Sequence, residues 1–155
     1  MVFRRIYEDK NMRAKFIYES IEDILRPKSK EEILSHLGDL NPRELLAKST
    51  EIGFLPGVKL ALERGADVHA DNDDVLCWAS RNGHKDVVEL LLKNGADVHA
   101  DDNYALQWAS AKGHKDVVEL LLKNGADVHA HYDLALRWAS NNGHKDVVEL
   151  LKKYM

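Results

Sequence analysis

Eight histidines are the residues of this chain with the most obvious capacity for chemistry. Six form two series, His69, His99 and His129, then His84, His114 and His144, each advancing by 30 residues. A shared metal would need two ring nitrogens about 2 Å from one ion. Packed helices stand about 8–10 Å apart, so equivalent rings on successive units are too widely spaced to meet on it. Each ring is instead expected to bond to turn backbone nearby. His129 and His131 could converge in an extended turn, but without a thiol or carboxylate cluster they make a weak ligand pair. No metal and no cofactor is expected.

Catalytic constellations are missing as well. Cys77, the single cysteine, sits in a helical stretch with no base beside it in sequence, so a packed or surface side chain is expected there, not a nucleophile. The chain has no phosphate-binding loop, no G-x-G-x-x-G, no H-E-x-x-H and no G-x-S-x-G. An enzyme is not expected. The net charge of −4, from 22 Lys+Arg against 26 Asp+Glu, disfavours nucleic acid and anionic membrane as main partners. No apolar run approaches the ~18 residues of a spanning helix. Residues 1–16 carry charges where a secretion signal needs an apolar stretch, and a lone cysteine suits a reducing compartment, so a cytoplasmic, non-secreted protein is expected.

The elements that would position these residues are repeated. GHKDVVELL occurs unchanged at Gly83–Leu91, Gly113–Leu121 and Gly143–Leu151, and KNGADVHA at Lys93–Ala100 and Lys123–Ala130. Trp78, Trp108 and Trp138 keep the same step. Each unit reads as two short helices. The first starts at Asp73, Asn103 or Asp133, whose side chain is expected to cap it, and stops at Gly83, Gly113 or Gly143. The second covers about Lys85–Lys93, with Asp86 early and Lys93 late to suit the helix dipole, and Gly95 ending it. Val87, Val88, Leu90, Leu91 and Leu92 make an apolar face too wide for one partner helix. Stacked units can cover it, so an all-α solenoid of helix pairs is predicted.

The run W-A-S-x-x-G-H-K-D-V-V-E-L-L-L-K-N-G-A-D-V-H-A resembles the ankyrin repeat over roughly residues 41–155. Two departures stand out. The family period is 33 and this one is 30, the shortfall falling where the family carries N-G-x-T-P-L-H. The family's Thr and His of that motif are absent, Cys77, Gln107 and Arg137 standing at the His. A tight turn with little or no strand is therefore expected in place of the family's β-hairpin finger. With its D-N-Y-A-L-x-W-A-S segment, the short form is similar to ankyrin arrays of giant DNA viruses and large phages, which implies a viral source.

The organisation expected is a basic segment 1–16, a helical N-terminal cap over 17–40, and an array over 41–155 with repeats at about 41–70, 71–100, 101–130 and 131–155. Ser20–Asp23 opens one cap helix that stops before Pro27, and Ser29–Glu32 a second that ends at Gly38. Lys152 stands where earlier repeats have Leu92 and Leu122, a polar change that suits a solvated terminal cap and a monomer.

Binding residues are sought where the repeats disagree. Second helices are near copies, whereas variation gathers in the turn and the first helix: Asp71, Asp73 and Asp74; Asp101, Asp102 and Tyr104; His131, Tyr132 and Asp133; then Cys77, Gln107 and Arg137, with Arg81. In the ankyrin family the corresponding turns and inner helices form the partner-binding face, so the resemblance points to the same positions. Trp78, Trp108 and Trp138 belong either to packing along the inner helices or to an exposed aromatic ridge on that face. Six acids on this edge favour a protein partner with a basic surface. The alternative is an inhibitor whose acidic edge mimics a phosphate track and occludes a nucleic-acid-binding or defence protein.

Overall fold

The computed structural model describes residues 40–155. Segment 1–16 and the cap helices expected over 17–40 lie outside the described residues. Asn41 opens the compact unit Asn41–Met155. Its Oδ1 accepts from the Glu44 N–H at 2.9 Å, and Pro42 fills the first helical position, where no donor is lost. The helices are α1 (Pro42–Glu51), α2 (Leu55–Glu63), α3 (Ala70–Asn82), α4 (Lys85–Lys93), α5 (Ala100–Lys112), α6 (Lys115–Lys123), α7 (Ala130–Asn141) and α8 (Lys145–Lys152). Odd-numbered helices pack on one another as a first layer, even-numbered ones as a second, and each odd helix also packs on the even one that follows. No strand occurs among the described residues. The described residues form an all-α repeat solenoid.

Its core repeats in register. Leu46, Leu76 and Leu106 are buried in the first layer, Val58, Val88 and Val118 between layers, and Leu91, Leu121 and Leu151 in the second. Burying one such side chain stabilises by about 1.5–3 kcal/mol, gained only when the next unit is present to cover it. Helices α4, α6 and α8 carry an aspartate in the first turn and a lysine in the last, as the dipole favours. Lys93 and Lys123 also reach Glu89 and Glu119, each at 2.7 Å. Lys152 is exposed on the last helix.

Successive units are stapled through His84, His114 and His144. Their Nε2 atoms lie 3.0 Å from the carbonyl oxygens of Glu51, Arg81 and Ala111, each in the preceding unit. A carbonyl only accepts, so Nε2 carries the proton and donates. The rings need room, and glycine supplies it. A Cβ on Gly113 would meet His144 Nδ1 at 2.5 Å, and one on Gly53 or Gly83 would meet His84 or His114 as closely or nearly so. These glycines are also left-handed, with φ of 73–77°. Asn82 and Asn142 add side-chain donors to Glu51 O and Ala111 O at 3.0 Å.

First helices come close because Ala79, Ala109 and Ala139 are small and fully buried. Beside them the hydroxyls of Thr50, Ser80 and Ser110 are buried with no hydrogen-bond partner. An unpaired buried hydroxyl costs about 1–3 kcal/mol.

Two stability outcomes follow from this packing. Gly113→Ala and Gly143→Ala incur the same left-handed strain, since φ is 77° and 78°, but nothing lies within 4 Å of a Cβ at Gly143. Gly113→Ala is expected to cost about 1–2 kcal/mol more, by the lost His144 bond and the displaced ring, measured by urea unfolding of both. Ser110→Ala is expected to raise stability by about 1 kcal/mol in the same assay; an unchanged or lower midpoint contradicts it.

Candidate functional site

The turn ahead of each first helix sets the candidate site. Asp101, Asp102 and Asn103 have φ of 48°, 56° and 64°, and His131, Tyr132 and Asp133 have φ of 52°, 58° and 58°. Asp73 takes the same state at 59°. Right-handed helix begins only after these residues. A left-handed residue costs about 1–2 kcal/mol, least for Gly, Asn and Asp. Four of the six are Asp or Asn, whereas His131 and Tyr132 carry the strain undiluted.

Side-chain bonds hold these turns. Gln107 Nε2 donates to Asp102 O at 2.7 Å. Asp73 Oδ1 accepts from the Asp97 N–H at 2.9 Å, and Asn103 Oδ1 from the Asp127 N–H at 2.8 Å. The carboxylates of Asp97 and Asp127 accept in turn from the His99 and His129 N–H groups. The expectation that Asp73 and Asn103 cap their own helices is thus corrected: they serve donors 24 residues downstream, tying one turn to the next. His69 Nδ1 donates to the other Asp73 oxygen at 3.2 Å, and that hydrogen bond, with the attraction of the same carboxylate, raises the His69 pKa above 6.5. His129 Nδ1 lies 2.8 Å from Asp133 Oδ1.

These bonds remove two residues from the surface expected to meet a partner. Asp73 is 6% exposed and Gln107 is 3% exposed, both employed inside the fold. Asp74, Asp101 and Asp102 are exposed, and Asp133 is half-buried beside its histidine. Arg137 is exposed and Arg81 half-buried. The side chain of Asp71 is outside those described.

The tryptophans form a continuous run. Trp108 lies 5.5 Å from Trp138, ring centre to ring centre, and Tyr104 meets Trp108 edge-on at 5.9 Å. The Arg81 guanidinium lies 4.5 Å over Trp108 and 6.0 Å from Trp78. Trp78 is 44% exposed, so the run packs and faces solvent at once. Lys112, which sequence reasoning passed over, stands 6.0 Å from the Trp108 ring; its signal is the i+4 spacing from Trp108.

Two grooves open along this face. One of about 320 Å³ lies between α1 and α3, where Arg43 and Lys48 join Leu46, Val75 and Trp78. The other, about 610 Å³, lies between α5 and α7 and brings together Asp101, Asp102, Tyr104, Gln107, His131 and Trp138, all predicted, with Leu134. Tyr132 stands at the turn carrying His131, 87% exposed. His131 Nδ1 is 3.9 Å from Asp102 Oδ2.

Cys77 is half-buried, and burial, with Asp74 adding to it, pushes its thiol up to about 11. Thiolate, the reactive form, is scarce at neutral pH. No group of three His, Cys, Asp or Glu side chains placed to hold a metal occurs among the described residues. No described helix is long and apolar enough to cross a membrane.

Comparison with known families finds a match. The profile described as ankyrin repeats (3 copies) aligns to residues 18–102, 45–132 and 99–155. Its first match begins ahead of Asn41, inside the stretch expected as a cap. No curated protein matches the chain.

Two titrations check the electrostatics. Alkylation of Cys77 by iodoacetamide is expected to climb about tenfold per pH unit with no bend below pH ~9.5, whereas an ordinary thiol bends near 8.5. His69 has its pKa raised in the folded state, so its contribution to stability is complete below pH 6.5 and lost as pH rises through the higher folded value. His69→Gln is expected to flatten that part of the stability-versus-pH curve.

Proposed function

The chain belongs to the ankyrin-repeat family, and from that premise we propose that it is a non-catalytic module receiving a partner protein on its turns and first-helix layer. Ankyrin repeats generally mediate protein–protein interaction. One observation carries the assignment to this face. Apart from Tyr154 and Met155 at the last turn, the large apolar side chains left exposed among the described residues are Trp78, Tyr104 and Tyr132, all on the turns and first helices. Interfaces are anchored by such aromatics. Tyr132 adds weight because it is exposed and strained together, its ring meeting that of His131 edge-on at 6.3 Å.

A basic partner surface fits the carboxylates of Asp74, Asp101 and Asp102 beside these aromatics. The alternative of an acidic track mimicking phosphates has less support, because Asp73 is buried and His131 stands close to Asp102. A host protein as partner is the finer form of the reading, and rests on the 30-residue step and the short turn segment alone.

Tyr132→Asn tests the proposal on two axes. Asparagine tolerates the left-handed turn, so stability is expected to rise by about 1 kcal/mol in urea unfolding. Recovery of bound protein from cell extract on the immobilised chain is expected to fall, while Glu119→Gln on α6 leaves it unchanged. A protein retained by Tyr132→Asn and lost with Glu119→Gln would move the interface to the second layer.

A further inference from the structure

We propose that the groove between α5 and α7 is a receptor for one arginine side chain of the partner, the guanidinium lying on Trp138 and Tyr104 with Asp101 and Asp102 as counter-charges. The inference rests on the protein-binding reading above and names the group that this part of the face takes. Its first support is internal. Arg81 lies 4.5 Å over Trp108, so the tryptophan run already accepts a guanidinium on one rung. Position 81 corresponds to Ala111 in the next unit, a methyl group, and among the described residues no cation lies over Trp138. One rung thus carries its own arginine and the next does not.

The second support is shape and charge. The groove, about 610 Å³, exceeds what a single side chain needs, is open to solvent, and has aromatic walls in Tyr104 and Trp138 with Leu134 beside them. Its polar lining is acidic apart from Gln107, whose amide is engaged with Asp102 O, and His131, 3.9 Å from Asp102. A planar cation suits flat walls better than an ammonium does, because guanidinium is weakly hydrated and stacks on rings while still donating to carboxylates. The left-handed backbone holds both aspartates at the rim, and Gln107 fixes the carbonyl between them and the helix.

The probe is an acetylated, amidated Gly-Gly-Arg-Gly-Gly peptide, followed by the indole N–H resonances of the full chain. Saturable shifts are expected at Trp138 and Trp108 and not at Trp78. The same peptide with citrulline, neutral and nearly isosteric, is expected to bind at least tenfold more weakly, and the lysine peptide about threefold more weakly. Asp101→Asn with Asp102→Asn, substitutions the turn backbone tolerates, is expected to weaken the arginine peptide three- to fivefold, with binding compared at temperatures where urea unfolding shows both proteins fully folded. Tyr104→Leu gives a second variant that keeps a large apolar side chain. Equal binding of arginine and citrulline peptides, shifts centred on Trp78, or no saturable shift each overturns the proposal. If a captured partner is still lost with Tyr132→Asn but ignores the arginine peptide and both aspartate changes, the arginine receptor fails while the protein-binding face stands. If capture ignores every substitution on the face, both fail.

Discussion

One bond recurs between units and sets the spacing of everything else: the imidazole of a second-helix start donating to a carbonyl at the end of the preceding first helix. His84, His114 and His144 make it to Glu51, Arg81 and Ala111 at an identical 3.0 Å. The constraint is doubly specific. The ring fits only over a residue without Cβ, and that residue must also turn the chain left-handed, which Gly53, Gly83 and Gly113 do. Glycine thus answers two demands at one site, and the G-H pair is a unit of assembly more than a local turn. Moving one staple would shift a whole helix pair against its neighbour and unmake the register of Leu46, Leu76 and Leu106.

A second tie runs along the opposite end of the first helices. Asp73 and Asn103 reach forward to the Asp97 and Asp127 amides, so α3 and α5 are each anchored at both ends to the unit that follows. The two ties are complementary in chemistry. The histidine satisfies an orphan acceptor at a helix C-terminus, and the Asp or Asn satisfies an orphan donor in a turn. With backbone groups paired this way, the short turn can do without a β-hairpin finger. Three left-handed residues take its place, and Gln107, standing where the family's histidine would, bonds into that turn.

Much of this was legible from residue types alone. The second helix read as Lys85–Lys93 has those bounds, and Gly83 and Gly95, where the reading stopped the two helices, are both left-handed. Local signals sufficed, because a cap, a dipole pair and a glycine stop act within four residues of one another. What escaped is long in range. The acceptor role of Asp73 points 24 residues ahead, and helix-cap logic looks only two or three. The same limit misplaced Asp73 and Gln107 on the surface: both are polar letters that vary between units, and variation alone does not separate a side chain facing solvent from one bonded inward. The groove itself was foreshadowed in its residues but not in its geometry, since all seven of its lining side chains vary between repeats or belong to the tryptophan series, yet come from two separate units.

The division of labour between the layers follows from these ties. Second helices hold the staples and the apolar interlayer contacts, so a change there disturbs the stack on both sides, and their letters are almost copied from unit to unit. First helices need only a buried leucine and alanine in register to keep their place, leaving the turn-side and outward positions open to differ. Rigidity in one layer therefore permits variety in the other. Side chains such as Tyr132 and Trp78 lie exposed on a backbone whose ends are fixed, so the ordering cost of a binding surface is met at folding and not at docking. That is the physical reason the proposed partner-binding face suits this layer: strain and exposed aromatic area are tolerable only where the neighbouring staples over-determine the backbone beneath them.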